Sequence, residues 1–125
     1  MEAQTIQKYI HTSPRKLRLV ADMVRAMSPN QAVDILNFTP KAAAKDLSFA
    51  IKTALANAKK LGMDAESVVF KKIEVDESSK MRRLRSAARG RTRPYKKRMS
   101  HIKKTIAQNR FKLMDYQNSP ANTER

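Results

Sequence analysis

Residues Lys80 to Arg98 read KMRRLRSAARGRTRPYKKR, with ten lysines and arginines, one central glycine and no acid. The acid-free interval is wider still: between Glu77 and Asp115 there are fourteen Lys or Arg and no carboxylate. Such a stretch cannot be an ordinary pair of core strands. Met81, Leu84 and Tyr95 are almost its only large apolar side chains, so it has little to bury against its own protein. Gly90 lies near the middle, where a hairpin needs a residue that tolerates positive φ. If Lys80 to Ala88 runs out and Thr92 to Arg98 runs back, the arm, at about residues 78–100, projects by roughly 25 to 30 Å at about 3.3 Å per residue. A lone two-stranded ribbon is marginal in water. The arm is therefore expected to be mobile when free and ordered when a polyanion neutralises it. The plainer reading of a basic run is a disordered tail or a localisation signal. The central glycine and a returning strand after it favour the hairpin.

Working outward, both flanks read as strands. Before the arm, Val68-Val69-Phe70-Lys71-Lys72-Ile73-Glu74-Val75 is β-branched and aromatic with partial alternation. After it, Ser100 to Gln108 aligns Ile102 with Ile106. A further strand is expected near the N-terminus, with Ile6, Lys8 and Ile10 on one side and Tyr9 on the other.

Between these strands lie helix signals. Ser13-Pro14, Ser28-Pro29 and Thr39-Pro40 each set a hydroxyl before a proline, the pattern of an N-cap followed by a first helical residue that loses no hydrogen bond. Gln31 completes a capping box with Ser28. Leu17, Val20, Ala21, Val24 and Met27 repeat at helical spacing, with Arg15, Arg18, Asp22 and Arg25 opposite. These arginines either solvate the helix, with Asp22 bridging Arg18 or Arg25, or touch phosphate. Arg15 and Lys16 stand in the first turn, where the helix dipole disfavours cations. A short second helix runs to about Phe38. A third, alanine-rich helix runs from about Lys41 to Leu61 with Leu47, Ile51, Ala54 and Ala58 on one face and Gly62 as its left-handed stop. That face reads as core.

The fold class is thus α+β: three helices packed on a small three-stranded antiparallel sheet, with a long protruding basic β-hairpin. Residues 1–108 are expected to form a single domain and 109–125 a polar C-terminal extension, in which Phe111, Leu113, Met114 and Tyr116 can anchor a docked segment.

The whole chain of 125 residues carries 27 Lys or Arg against 11 Asp or Glu, a formal charge of +16. Such an excess repels itself unless a polyanion neutralises it, and nucleic acid is the economical partner. There is no cysteine, which excludes disulfides, thiolate catalysis and cysteine-based zinc sites. No long apolar run reads as a signal peptide or a membrane span. The expected setting is cytosolic, or that of the mature form of something imported.

Catalytic patterns are missing. The two glycines, Gly62 and Gly90, form no phosphate-cradling loop. His11 and His101 are far apart in sequence. Alternation places Glu74 and Asp76 on one face, but no nucleophile accompanies them, so a solvated strand end is the better reading. His101 reads as a strand residue that contacts RNA. No enzyme, cofactor, metal, membrane or homo-oligomer is expected.

The order of these signals resembles a known family. Ser13-Pro14-Arg15-Lys16-Leu17-Arg18-Leu19-Val20-Ala21, Phe38-Thr39-Pro40-Lys41-Ala42-Ala43, Ala54 to Ala58, Val75-Asp76-Glu77, Ala88-Arg89-Gly90-Arg91 and Lys97-Arg98-Met99-Ser100-His101-Ile102 resemble, in order, the ribosomal large-subunit protein twenty-two family, over about residues 5 to 108. The resemblance implies a structural protein of the ribosome, cytoplasmic or else organellar, seated on the outer surface of the large subunit near the exit of the nascent-chain tunnel. It implies a hairpin threading through large-subunit ribosomal RNA, with neighbouring large-subunit proteins and the nascent polypeptide as further partners. It also implies a role in early assembly and an effect of tip changes on macrolide sensitivity. Carried onto this chain, Ala88, Arg89, Gly90 and Arg91 are the tip, and Lys80, Arg82, Arg83, Lys97 and Arg98 are shaft contacts. Ser86 and Ala87 stand where the family usually has Pro-Arg, and Pro94 where Arg is common.

From the residues and the resemblance together, the expected RNA contacts are Arg15, Lys16, Arg18, Lys80, Arg82, Arg83, Arg85, Arg89, Arg91, Arg93, Lys96, Lys97, Arg98 and His101. The competing reading is an architectural DNA-binding protein that wedges Pro94 between base steps. Against it, Pro94 lies past the glycine rather than at the apex.

Overall fold

The computed structural model describes residues 1–108 as β1 (Glu2–Ile10), α1 (Pro14–Val24), α2 (Pro29–Phe38), α3 (Ala42–Lys60), β2 (Val68–Glu77), β3 (Met81–Ser86), β4 (Thr92–Lys97) and β5 (Ser100–Gln108). The docked segment expected around Phe111 to Tyr116 lies outside these residues. Pro14 and Pro29 open α1 and α2 behind extended serines, as the sequence predicts. Neither serine caps an amide with its side chain. Instead of a capping box, Ser28 Oγ donates to Gln31 Oε1 at 3.0 Å.

The third hydroxyl–proline pair ends a helix rather than starting one. Pro40 disfavours the α region at the residue before it, and Thr39 is extended with ψ 119. Its hydroxyl turns back to donate to Ile35 O at 2.8 Å, closing α2. The cap of α3 is Lys41. At the other end of α3, Gly62 has φ +75, and the N–H groups of Gly62 and Met63 reach Lys59 O and Ala58 O at 3.0 and 3.1 Å. This is the paired closure expected of a left-handed glycine stop.

β1, β5 and β2 form an antiparallel sheet in that spatial order, with the helices on one face. Leu17, Val20, Val24, Leu47 and Ile51 are fully buried and pack with Ile73, Val75 and Ile102 of the sheet. Each such side chain contributes about 1.5 to 3 kcal/mol. Toward the end of α3, Ala54 and Ala58 meet Ala3, Val68 and Ile106, a contact that small side chains permit because the backbones can approach closely.

That close approach sets the facing of β1, and the strand does not keep Ile6 and Ile10 on one side as expected. Ala3 and Thr5 are the buried residues, Ile6 is half exposed, and Asn57 of α3 donates to Thr5 Oγ1 at 3.2 Å. Pairing with β5 then slips between Gln7 and Ile10, where Tyr9 adopts φ 58. This bulge changes the parity of the strand, so Ile10 turns inward and packs against the core although Ile6 does not.

One charge lies inside the core. Lys104 is on the face of β5 that carries Ile102 and Ile106, has no exposed surface, and donates from Nζ to Leu47 O at 2.9 Å. Burial in this apolar layer pushes its pKa down to about 7.

β3 and β4 form a separate two-stranded ribbon. It continues the β2 and β5 pair: the last rung of the body is Ser78 N–H to Met99 O at 3.0 Å, and the first of the ribbon pairs Met81 with Lys97. Ser79 and Lys80 therefore stand opposite Arg98 alone. One extra residue at the root bends such a ribbon and raises its twist.

Candidate nucleic-acid interface

Every residue from Arg82 to Arg98 is exposed except Ala87, which is half-buried. Exposure on both faces of a strand pair is what a ribbon standing clear of the body shows. The register assigns side chains to those faces, since directly opposed residues share a side. Arg83 with Tyr95, Arg85 with Arg93, and Met81 with Lys97 make one face. Arg82 with Lys96, Leu84 with Pro94, and Ser86 with Thr92 make the other.

The first face is the more strongly charged, with Arg83, Arg85, Arg93 and Lys97 around a single aromatic ring. Arg85 Cζ stands 5.1 Å from the centroid of Tyr95, within range of a cation–π contact. On both faces cation opposes cation, at Arg85 and Arg93 and at Arg82 and Lys96. Like charges directly opposed weaken a ladder. Among the described residues no carboxylate pairs with the ribbon beyond Lys80, whose Nζ is 3.4 Å from Glu77. A polyanion relieves this repulsion.

At the tip, Ala87 N–H bonds Arg91 O at 2.7 Å and Arg91 N–H bonds Ala88 O at 3.4 Å. Gly90 has φ +68, as the sequence requires, and Arg89 also turns left-handed at φ 58, ψ 38. A non-glycine residue costs about 1 to 2 kcal/mol in that region. Pro94 faces Leu84 within β4 and not at the turn, so the proline-wedge reading has no apex residue to act through.

The body residues divide. Arg15 and Lys16 are exposed on the first turn of α1. Arg18 bonds Val75 O through both Nε and Nη2, at 3.2 and 3.0 Å, and so ties α1 to β2. Asp22 pairs with Arg25 at 3.0 Å. His101 Nδ1 accepts the Tyr9 N–H at 2.9 Å, and the two rings meet edge to face at 4.9 Å. His101 thus fixes the bulge of β1 and keeps only Nε2 for another partner. Lys96 and Arg98 reach a cleft beside Lys16 and Lys41. Lys41 and Tyr95 are absent from the sequence-based set; Tyr95, as an aromatic among arginines, carried a readable signal.

At the end of β2, Glu74 lies 2.6 Å from Lys72 Nζ, and that hydrogen bond holds its carboxyl below the usual range. Among the described residues no three His, Cys, Asp or Glu side chains gather as metal ligands, and no helix is long and apolar enough to cross a membrane.

Residues 5–107 match the family model described as ribosomal protein L22p/L17e. The chain belongs to that family. A protein of Leptospira biflexa named large ribosomal subunit protein uL22 is 42% identical over 110 residues, covering 86% of this chain and 95% of its own. One of the same name from Maridesulfovibrio salexigens is 42% identical over 103 residues, covering 82% and 94%. The family is structural and not enzymatic, which agrees with the absence of a catalytic constellation in the sequence. Its place is the ribosome, which is cytoplasmic in bacteria.

Proposed function

We propose that this ribosomal protein is a structural constituent of the large subunit that binds large-subunit ribosomal RNA along the β3–β4 ribbon. The observation that carries the reading is the ribbon itself: ten cations from Lys80 to Arg98, no acid, exposure on both faces and no apolar layer of its own. Arginine forks bind phosphate with two hydrogen bonds and stack on exposed bases. Phosphate contacts fix position without reading sequence, which suits a protein held at one place by the shape of its RNA. The body, with its helices and sheet, sits at the subunit surface beside the tunnel exit and against neighbouring large-subunit proteins. Ala88 to Arg91 then reach the tunnel constriction and meet the nascent polypeptide. Residues 1–108 act as the RNA-binding domain, and an early place in assembly follows from a ribbon that needs RNA around it.

Titration of the protein with protein-free large-subunit ribosomal RNA over a range of salt tests the reading. Neutralising six to ten phosphates gives a slope of log affinity against log salt of roughly −4 to −9. A slope near zero would refute it. For the tip, a photo-crosslinker at Arg91 is expected to capture a stalled nascent chain, whereas one at Asp34 is not.

A further inference from the structure

An open cleft of about 710 Å³ lies at the root of the ribbon. Three parts of the chain far apart in sequence wall it: the β1–α1 turn with the start of α1, the start of α3, and the end of β4. They bring together Lys16, Lys41, Lys96 and Arg98, with His11 beside them and, among the described residues, no carboxylate in the lining. All four cations are exposed, and none forms an ion pair among the described residues. Four like charges in a concave wall of low dielectric focus a field that draws anions.

Backbone groups add to it. Ser13 and Lys41, the residues preceding α1 and α3, both line the cleft, and neither helix has an acidic first turn or a side-chain cap. The floor is fixed. Thr12 Oγ1 donates to Asp46 of α3 at 2.5 Å, and Ser100 Oγ of β5 donates to Thr12 O at 2.8 Å. Among the described residues, the carboxylate tied to this turn is thus engaged by a hydroxyl and lies outside the lining. On the ribbon side, Lys96 and Arg98 adjoin the offset where Ser79 and Lys80 oppose Arg98 alone.

We propose that this cleft binds a phosphate of the RNA backbone, and that holding it fixes the angle at which the ribbon leaves the body. The inference rests on the RNA-binding reading and names a second site for it at the ribbon root, joined to one face of the shaft through Lys96 and built otherwise from the body. Phosphate fits because lysine ammonium groups and free first-turn amides together favour a compact multivalent oxyanion. Continuity with the ribbon favours RNA as its source.

The test uses the full chain and protein-free large-subunit ribosomal RNA. Lys16→Gln with Lys41→Gln changes only the body side of the cleft; Arg83→Gln with Arg85→Gln changes only the shaft. Each pair is expected to make the salt slope shallower by about one to two. Because the chain has no cysteine, Ser86→Cys and Asp34→Cys give the only two thiols for spin labels, one near the tip and one on α2. The distribution of label distances is expected to be broad in the free protein and narrow on RNA. With the body-side pair substituted, it stays broad. If the shaft pair weakens binding while the body-side pair leaves slope and distances as in the parent, the cleft proposal is overturned and the RNA reading stands. If neither pair matters, both fall. A shallower slope with unchanged narrowing keeps the phosphate site and overturns the control of angle. Polyglutamate that displaces RNA from the cleft as well as polyphosphate of equal charge overturns the choice of phosphate.

Discussion

Lys104 shows what a single side chain can decide. Period-2 alternation puts it between Ile102 and Ile106 on one face, but its charge marks it as part of the basic interval and masks its place in the core. A lysine whose folded pKa is depressed binds its proton less tightly folded than unfolded. Between about 7 and its ordinary 10.5 the unfolded chain holds more protons, so stability climbs with pH over that window; below it the full cost of the buried charge is present. Lys104→Met is therefore expected to stabilise the body at pH 6.5 by about 1 to 4 kcal/mol and to flatten the climb toward pH 10. Urea denaturation at the two ends of the window measures both, and a parent-like slope in the variant would count against a charged Lys104 in the core. Tyr95 makes a different prediction. Tyr95→Ala should weaken RNA binding by about 1 to 3 kcal/mol if a base stacks on the ring, with no change in salt slope, since no charge is lost. Unchanged affinity would leave the ring as a support for Arg85 only.

At the scale of elements, helical spacing identified α1 and α3 well because their buried faces, Leu17 to Val24 and Leu47 to Ala58, repeat without interruption. β1 departs from its expected alternation for a physical reason: an alanine-rich helix packs closest on small residues, so Ala3 and Thr5 face it, and the bulge at Tyr9 separates Ile10 from Ile6. Thr39-Pro40 carries the same two residue types as a helix start and is used as a stop, a choice that depends on how α2 and α3 pack and not on the dipeptide. The ribbon was the most legible element, since charge without acid and a lone glycine leave few alternatives. Its face assignment was not, because register follows from the offset at the root. With cation facing cation at two rungs, ribbon amides from Met81 to Lys97 are expected to exchange quickly in the free protein and slowly once RNA is bound. Equally slow exchange in both states would contradict the coupling of ribbon order to charge neutralisation.

The whole molecule is electrically lopsided. Several of its carboxylates serve the body, at Glu2 with Lys71, Asp22 with Arg25, Glu74 with Lys72 and Asp46 with Thr12, while the ribbon has none. Family membership was legible only at this scale, from the order of several weak signals; the meeting of three of them around one cleft was not, because it depends on tertiary placement. The exposed ribbon also has a meaning for the protein before it finds its RNA. A weakly held strand pair with a lysine or arginine at about every second position opens locally with ease, and each opening presents a site to any protease that cuts after basic residues. Brief trypsin treatment should clip the unbound chain within Lys80 to Arg98 and spare the body, whereas the RNA-bound chain should survive intact. On that outcome, the residues proposed to anchor the protein would also distinguish unassembled copies from assembled ones, by exposing the former to cleavage.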